Sequence, residues 1–204
     1  MNSRDKSNWL SAMEEEMTSL KKNNTWILVE KPMKRKLVGC KWIFKLKEGV
    51  ANVEPPRYKA RLVAKGFTQR EGVDYSEVFC PVVKYNSIRV LLAITAYFDL
   101  NLNQLDVKTA FLHGNFEEEI YMEQPEGFIQ KGLEDRVCLL KKSLYGLKQS
   151  PRRWYLRLDQ FMMAHGYTRS QYDNCVYCKL LPSGNGIYLL LYVDDMLIAC
   201  KHRE

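Results

Sequence analysis

Apolar side chains recur with the spacing of amphipathic helices in three parts of the chain. The first part runs from Trp9 to Leu20, and the second covers 87–100, with Asn86 as its expected N-cap. The third begins at Ser150-Pro151, because serine suits an N-cap and proline suits the first helical position, and it has Trp154 in its apolar stripe. The second part is apolar nearly all round, so we expect that helix to be buried.

Strands are predicted where apolar and polar residues alternate, or where short apolar runs lie between turn residues. They cover 25–29, 38–46, 58–65, 102–107, 120–123, 137–140, 176–180, 187–193 and 196–200. The last three resemble a hairpin followed by a returning strand. Because helices and strands are mixed rather than strictly alternating, the expected fold class is α+β.

Two acidic residues interrupt the longest apolar part of the chain. Asp194 and Asp195 follow Tyr192-Val193, with Leu189-Leu190-Leu191 before them and Met196-Leu197-Ile198-Ala199 after them. Adjacent carboxylates are costly to desolvate and resist ionising together, and a divalent cation removes both penalties. The pair also suits a tight surface turn, since aspartate is a common turn residue.

A third carboxylate, Asp106, stands at the end of a predicted strand much earlier in the chain. Together with Asp194 and Asp195 it could bind two divalent ions, which stabilise the attacking and leaving oxygens of a phosphoryl displacement. The reaction would be the attack of a primer 3′-hydroxyl on a nucleoside triphosphate. Taken alone, Asp106 is also compatible with a strand-end residue that accepts hydrogen bonds from backbone donors.

The chain is basic, with a formal net charge of +7 and a pI of about 9.0, which favours a polyanionic partner. The strand predicted over 58–65 and the residue before it have four cations on one face, because side chains two residues apart project to the same side of a strand. These cations are Arg57, Lys59, Arg61 and Lys65. Next to the lysines of the preceding strand, this face would form a positive ribbon of the kind that binds phosphates. An edge strand protected by solvated cations would show the same pattern.

The cysteines and histidines do not have the spacing of a metal site. Cys175 and Cys178 lack a second cysteine pair at zinc spacing, so we interpret them as structural. His113, His165 and His202 form no metal-binding motif. The scattered thiols and the absence of a signal peptide favour a reduced intracellular setting, and the longest apolar run is too short to span a bilayer.

Several motifs follow one another along the chain in a specific order. The motifs with candidate chemistry are Asp106 with the following Phe111, Leu144-Tyr145-Gly146-Leu147-Lys148-Gln149-Ser150-Pro151, and Tyr192-Val193-Asp194-Asp195. The further segments are Trp26-Ile27-Leu28-Val29, Lys41-Trp42-Ile43-Phe44-Lys45, Arg57-Tyr58-Lys59-Ala60-Arg61-Leu62-Val63-Ala64-Lys65-Gly66-Phe67, and Ile120-Tyr121-Met122-Glu123-Gln124-Pro125-Glu126-Gly127-Phe128. The first set resembles reverse transcriptases, and the second resembles more closely the Pol polyprotein of Ty1/copia-type retrotransposons.

This resemblance covers nearly the whole chain and implies an overall architecture. It implies the fingers and palm of a right-hand nucleic-acid polymerase, with an antiparallel palm sheet backed by helices. An N-terminal helix would cover 1–24, a fingers region 25–85, and a palm with interspersed fingers segments 86–204. The chain is expected to be truncated before the thumb and the ribonuclease H domain.

The resemblance also implies roles for individual residues. Asp106, Asp194 and Asp195 match the catalytic aspartates, which bind metal together with Val107. Phe111, preceded by Ala110, matches the bulky residue under the nucleotide sugar, although a core phenylalanine would look the same. The remaining positions are implied to bind the nucleotide (Lys59, Arg61, Lys65 and Tyr145) or the template and primer (Gly146, Lys148 and Tyr192).

The expected function is therefore that of an RNA-directed DNA polymerase, a nucleotidyltransferase. Its cofactors would be two Mg²⁺ ions, with Mn²⁺ as a possible substitute. Its partners would be an RNA or DNA template with a primer and deoxynucleoside triphosphates, without a membrane. The expected location is the cytoplasm, inside the virus-like particle of the intact element.

Three other interpretations are compatible with the sequence. The chain would be a non-catalytic nucleic-acid-binding relic if it kept the basic ribbon but performed no chemistry; its binding would be salt-dependent and indifferent to Asp194→Asn. It would be a decayed transposon fragment if the motifs had outlived their function. It would be an unrelated two-carboxylate hydrolase if the resemblance misled, and Lys148 with the basic strand would then favour a phosphate substrate over a sugar.

Overall fold

The computed structural model describes residues 5–33, 35–49, 55–107, 109–116 and 118–201. In these ranges the helices are α1 (Lys6–Lys22), α2 (Tyr85–Tyr97) and α3 (Ser150–Ala164). The strands are β1 (Trp26–Val29), β2 (Cys40–Lys47), β3 (Arg57–Ala64), β4 (Asn101–Asp106), β5 (Tyr121–Met122), β6 (Val137–Leu140), β7 (Thr168–Arg169), β8 (Val176–Leu180), β9 (Gly186–Tyr192) and β10 (Asp195–Cys200). All the predicted strands are present, and among the strands of the described residues only β7 was not predicted. None of the described helices is long and apolar enough to cross a membrane.

The chain divides into two compact units. The first comprises Met1–Val78 and Asn115–Ser150, and the second comprises Phe79–Gly114 and Pro151–Glu204. In the first unit, α1 accompanies a three-stranded sheet of order β1-β6-β5 and the hairpin β2–β3. In the second unit, α2 and α3 accompany a five-stranded sheet of order β4-β10-β9-β8-β7. All strand pairings within the named strands are antiparallel, which confirms the expected mixture of helices and antiparallel sheets.

Part of the core of the first unit forms where α1 packs on the apolar face of the hairpin β2–β3. Ala12 and Met13 of α1 are buried together with Ala60 of β3. The Trp9 ring meets Phe44 and Tyr58 edge to face, with ring centroids 5.3 Å and 4.6 Å apart. Burying aromatic rings contributes strongly to stability. Because alternate side chains of a strand project to the same face, the apolar residues of both strands lie on one face, and α1 covers that face.

The loop after β6 packs against the end of β3 in the same unit. The Ala64 amide donates a hydrogen bond to the Tyr145 carbonyl, at 2.8 Å. Gly146 has a φ of +92°, and a Cβ atom there would overlap the Ala64 carbonyl oxygen and lie 2.6 Å from Val63 Cγ1. Glycine is therefore required at position 146 for both the backbone angle and the close approach to β3.

Helix α2 in the second unit differs from its prediction. It begins at Tyr85, and its N-cap is Lys84 rather than Asn86. The buried carboxylate of Asp173 performs the capping function, accepting hydrogen bonds from the Lys84 amide at 2.8 Å and the Ser87 hydroxyl at 2.6 Å. A carboxylate from a distant part of the chain therefore accepts the hydrogen bonds of donors at the start of the helix, and the local sequence does not reveal this partner.

The prediction that α2 is buried was wrong. Of its residues only Leu91 is buried, while the side chains of Val90 and Tyr97 are 56% and 83% exposed. The helix contacts β9 and β10 of its own unit. An apolar composition shows that a helix can be buried, but it does not show how much of its surface neighbouring elements cover.

Helix α3 is fixed to the edge of the five-stranded sheet by a polar network. The Asp159 carboxylate accepts hydrogen bonds from the Tyr177 hydroxyl at 2.9 Å and from the Arg169 guanidinium at 3.2 Å. Burial and the hydrogen bond to Asp159 raise the pKa of Tyr177, so its hydroxyl stays a donor. Because β7 and β8 supply these two partners, the network fixes α3 relative to the sheet.

We predict that Gly146→Ala destabilises the chain more than Gly132→Ala. Gly132 also has a positive φ, +81°, but a Cβ there would meet nothing within 4 Å. The Gly132 substitution should lower the free energy of unfolding by about 1–2 kcal/mol through the backbone angle alone. Gly146→Ala should cost about 1–3 kcal/mol more through overlap with β3. Urea unfolding of both variants measures the difference, and equal losses would contradict the packing of this loop on β3.

Candidate active site

Two of the predicted aspartates lie directly opposite each other in the second unit. Asp106 at the end of β4 is the antiparallel partner of Asp195 at the start of β10. Opposed residues of neighbouring strands project from the same face of the sheet. Gln104, two residues before Asp106, shares that face, and its side-chain amide donates to Asp195 Oδ1 at 3.4 Å. The strand register therefore brings two carboxylates together from segments far apart in sequence.

The third aspartate lies in the turn between β9 and β10. Tyr192 pairs with Asp195, so Val193 and Asp194 form a two-residue hairpin loop. The Asp194 carbonyl accepts a hydrogen bond from the Val107 amide at 3.0 Å. This bond joins the turn to the residue that follows Asp106, so all three aspartates belong to one local structure.

Two residues beside the aspartates have strained backbone angles. Val193, immediately before Asp194, has a φ of +56°, and Thr109, three residues after Asp106, has a φ of +62°. Positive φ is unusual for β-branched residues and costs on the order of 1–3 kcal/mol. Such strain persists where the surroundings impose it, and it is concentrated at functional sites in proteins.

The donor set of this site suits a hard divalent cation. The Asp106 side chain is exposed and that of Asp195 is half-buried, so both are accessible to an ion. Among the described residues no group of three or more histidines, cysteines, aspartates or glutamates is arranged to hold a metal, and His202 lies outside those residues. Mg²⁺ commonly uses only one or two carboxylates and completes its shell with water and substrate phosphates. The opposed carboxylates therefore fit Mg²⁺.

The segment after Asp106 carries the residues expected near the nucleotide sugar. The Val107 carbonyl accepts a hydrogen bond from the Ala110 amide at 3.2 Å, which begins a short 3₁₀-helix over Ala110–His113. Ala110 is fully buried and Phe111 is 8% exposed. Phe111 is thus buried only a few residues from Asp106.

The cations expected to bind nucleotide lie in the first unit, on the hairpin β2–β3. Lys45 lies opposite Lys59, and Arg57 lies opposite Lys47. Like charges in direct opposition destabilise a sheet pair, and an anion on this face would relieve their repulsion. The register therefore places Lys45 and Lys47 beside Arg57, Lys59 and Arg61 on one face of the hairpin, as expected for the basic ribbon. Arg57 also forms a salt bridge with Glu15 of α1, at 3.9 Å.

Arg61 and Tyr145, which the resemblance assigns to nucleotide binding, contact each other in the first unit. The Arg61 guanidinium lies over the Tyr145 ring, 4.8 Å from the centroid. Lys65 follows the end of β3, where its amide donates to the Gly39 carbonyl at 2.7 Å. The docking of the 144–149 loop on β3 accounts for the meeting of Arg61 with Tyr145.

The residues expected to bind template and primer have varied surroundings. The Lys148 ammonium donates to the Gln69 carbonyl at 3.3 Å and to the Tyr75 hydroxyl at 3.2 Å, so it also has partners within its own unit. The backbone of Gly146 lies close to Val63 and Ala64 of β3, which by itself accounts for a glycine at this position. Tyr192 in the second unit is 51% exposed beside the hairpin turn.

Sequence reasoning missed the residues that hold these segments. It assigned Trp154 only to an apolar stripe, yet the indole Nε1 donates to the Val193 carbonyl at 2.6 Å. It gave no role to Gln69 and Gln149, which are buried and joined by an amide–amide hydrogen bond of 3.1 Å in the first unit. Buried indole and amide groups need hydrogen-bond partners. This need is the only sequence feature that could have pointed to a role for Trp154, Gln69 and Gln149.

No disulfide joins any of the six cysteines, all of which lie in the described residues. Burial raises the pKa of Cys138 to about 12 and that of Cys40 to about 11. Burial also raises the pKa of Cys175 to about 12, and the Cys178 thiol lies 3.7 Å from the Thr168 carbonyl. Thiols that remain protonated are poor nucleophiles and poor metal ligands, which agrees with a structural role for Cys175.

Comparison with known proteins identifies the family. Residues 23–204 match the model of the family described as reverse transcriptase (RNA-dependent DNA polymerase). The chain is 55% identical over 199 residues to the retrovirus-related Pol polyprotein from transposon TNT 1-94 of Nicotiana tabacum, covering 98% of the chain and 15% of that polyprotein.

More distant relatives give the same result. The chain is 45% identical over 195 residues to the Pol polyprotein from transposon RE2 of Arabidopsis thaliana, covering 93% of the chain and 13% of that protein. It is 28% identical over 199 residues to the transposon Ty1-DR5 Gag-Pol polyprotein of Saccharomyces cerevisiae, covering 97% of the chain and 11% of that protein. The chain spans less than a sixth of the length of these relatives. It belongs to the reverse transcriptase family, as the reverse transcriptase domain of a copia-type Pol polyprotein.

Proposed function

We propose that this chain carries the fingers and palm of a right-hand polymerase and extends a primer on an RNA or DNA template. The observation that carries the proposal is the opposition of Asp106 and Asp195, with Asp194 in the adjoining turn. Family membership supplies the reaction class, and the arrangement of the carboxylates supports this face of the sheet as the reacting face.

The three aspartates, together with Val107, would hold two Mg²⁺ ions, for which Mn²⁺ can substitute. Bound ions would activate the primer 3′-hydroxyl and stabilise charge on the triphosphate. The protein's own contribution is to hold Asp106 and Asp195 on neighbouring strands, so that their separation is set by the sheet. A rigid sheet holds such groups more accurately than a loop does.

The two compact units correspond to the two polymerase parts in this proposal. The palm would consist of the second unit, whose antiparallel sheet carries the aspartates. The fingers would consist of the first unit, in which 115–150 is the segment interspersed within the palm sequence. The intact element would carry this activity inside its cytoplasmic virus-like particle.

The fingers would bind the incoming deoxynucleoside triphosphate through Lys59, Arg61, Lys65 and Tyr145. For Lys59 the opposition to Lys45 supports this assignment, because the repulsion between the two cations favours an anionic partner. The contact of Arg61 with Tyr145 limits the freedom of both side chains before a ligand arrives, which lowers the entropy cost of binding. Gly146, Lys148 and Tyr192 would contact the template and primer.

We predict that Asp195→Asn abolishes primer extension. The substitution keeps the shape of the side chain but removes a negative charge that would stabilise the bound ions. The rate should fall by about 100-fold or more, as for other losses of a preorganised electrostatic group. The assay contains the purified chain, an RNA template, a DNA primer, deoxynucleotides and Mg²⁺ or Mn²⁺.

The matched control is Asp99→Asn, which changes an exposed carboxylate of the same unit. This variant should extend primers like the parent chain. Extension that survives in Asp195→Asn would contradict the proposed site. Failure of the parent chain to extend any primer would contradict the sufficiency of this part of the polyprotein.

A second candidate function is nucleic-acid binding without chemistry, and the like-charge pairs of the basic ribbon favour it. Phosphate contacts would then provide most of the affinity, which would fall steeply with salt. Salt-dependent binding that Asp194→Asn leaves unchanged, in a chain that extends no primer, would support this function instead.

For Phe111 we predict a role in sugar discrimination. A bulky residue under the sugar would clash with a 2′-hydroxyl, so Phe111→Val should lower the preference for deoxynucleotides over ribonucleotides by about 10-fold or more. Leu112→Val is the control, because Leu112 is buried in the same short helix. Both changes should reduce stability, but only the first should change discrimination in primer extension. Unchanged discrimination in Phe111→Val would show that Phe111 is a core residue only.

A further inference from the structure

Trp154 connects α3 to the turn that carries the aspartates. Its side chain is 6% exposed, and its indole Nε1 donates to the Val193 carbonyl at 2.6 Å. A buried indole N–H needs an acceptor, and here the acceptor is a backbone carbonyl of the strained hairpin loop. The hydrogen bond therefore acts on the peptide group between Val193 and Asp194.

The loop is held at both of its carbonyl groups. The Val193 carbonyl is bound by Trp154, and the next carbonyl, that of Asp194, is bound by the Val107 amide at 3.0 Å. A valine with a φ of +56° lies outside its preferred backbone region, so the loop needs external contacts to keep this conformation. These two hydrogen bonds are contacts of that kind.

The same part of α3 packs against the segment that follows Asp106. A Cβ atom at Gly114 would lie 2.9 Å from Arg153 Cβ and 3.2 Å from the Trp154 amide, so the backbones approach closely there. The His113 and Trp154 rings are 6.0 Å apart. Trp154 thus contacts both segments that bring aspartates to the site.

We infer that Trp154 is a positioning residue for the three aspartates, acting through the Val193 carbonyl. This inference rests on the proposed function in so far as the aspartates bind divalent ions. Losing the indole N–H would let the loop relax towards an unstrained conformation, and Asp194 and Asp195 would then move relative to Asp106. The loss of one hydrogen bond corresponds to about a 2- to 10-fold change in the populations involved.

The test compares Trp154→Phe with Trp42→Phe in the full chain. The Trp42 indole also donates to a backbone carbonyl, that of Glu126 at 3.0 Å, but it lies in the first unit. Each substitution removes one indole donor and keeps an aromatic ring. Amide hydrogen exchange of Val107 reports on its bond to Asp194, and amides of the β8–β9 pairing serve as the internal reference for overall stability.

Trp154→Phe should increase the ratio of the exchange rate at the Val107 amide to that of the β8–β9 amides by about 2- to 10-fold. Trp42→Phe should leave this exchange ratio unchanged. Mn²⁺ affinity, followed by electron paramagnetic resonance of the free ion, should fall by a similar factor in Trp154→Phe alone. Val193→Gly removes the strain, so Trp154→Phe should have a smaller effect in that background.

An unchanged exchange ratio at Val107 in Trp154→Phe, or an equal change in Trp42→Phe, would overturn the inference. Faster exchange with unchanged Mn²⁺ affinity would also overturn it, because the loop would then move without consequence for the ligands. If the parent chain binds no Mn²⁺ in a way that depends on Asp195, the proposed metal site fails. The exchange ratio then decides by itself whether Trp154 holds the loop.

Discussion

The antiparallel pairing of β4 with β10 is the interaction on which the candidate site depends. Its register sets Asp106 opposite Asp195, and a slip of one residue would turn one of these side chains to the other face of the sheet. Burial anchors β10 through its Ala199 and through Leu189, Leu190 and Leu191 of the neighbouring β9, whereas all six residues of β4 lie outside the core. The strand β4 is therefore held in register by its backbone pairing with β10 along Asn101–Asp106, and this pairing keeps the two carboxylates together.

Helix α3 of the second unit supports the hairpin loop that carries Asp194. The Asp159 network fixes α3 to β7 and β8, and the indole of Trp154 reaches the hairpin loop from the same helix. The strained conformation of Val193 is thus held by a helix that is itself fixed to β7 and β8. A loop that is strained and also held at both carbonyls has a defined shape before any ion or nucleotide binds.

Much of the architecture could be predicted from the sequence, because periodicity is a local property. The alternation in 38–46 and 58–65 predicted two neighbouring strands with a basic face, and the structure pairs them as a hairpin whose register places cations opposite each other. The order of the aspartate motifs identified the family before the fold was known. Asp106 and Asp195 could be grouped from the chemistry of a two-ion site and from the resemblance, but their direct opposition could not be predicted, since no local pattern encodes the pairing of strands about ninety residues apart.

The features that sequence reasoning missed all depend on distant contacts. Asp173 replaced Asn86 as the cap of α2 because a carboxylate far along the chain reaches the helix start. The exposure of α2 follows from which neighbours are present, not from its own composition. The acceptor of the Trp154 indole and the close approach of Gly146 to β3 likewise became visible only in the folded chain.

Paramagnetic broadening by Mn²⁺ in the ¹⁵N-labelled chain would test most directly whether the three aspartates form one cation site. Sub-stoichiometric Mn²⁺ should broaden the amide signals of Asp106, Asp194 and Asp195 first. The amide of Thr168 on β7 should stay sharp, because three strand spacings of about 4.8 Å separate β7 from β10. Broadening that begins elsewhere, or that spares the three aspartates, would contradict the cation site.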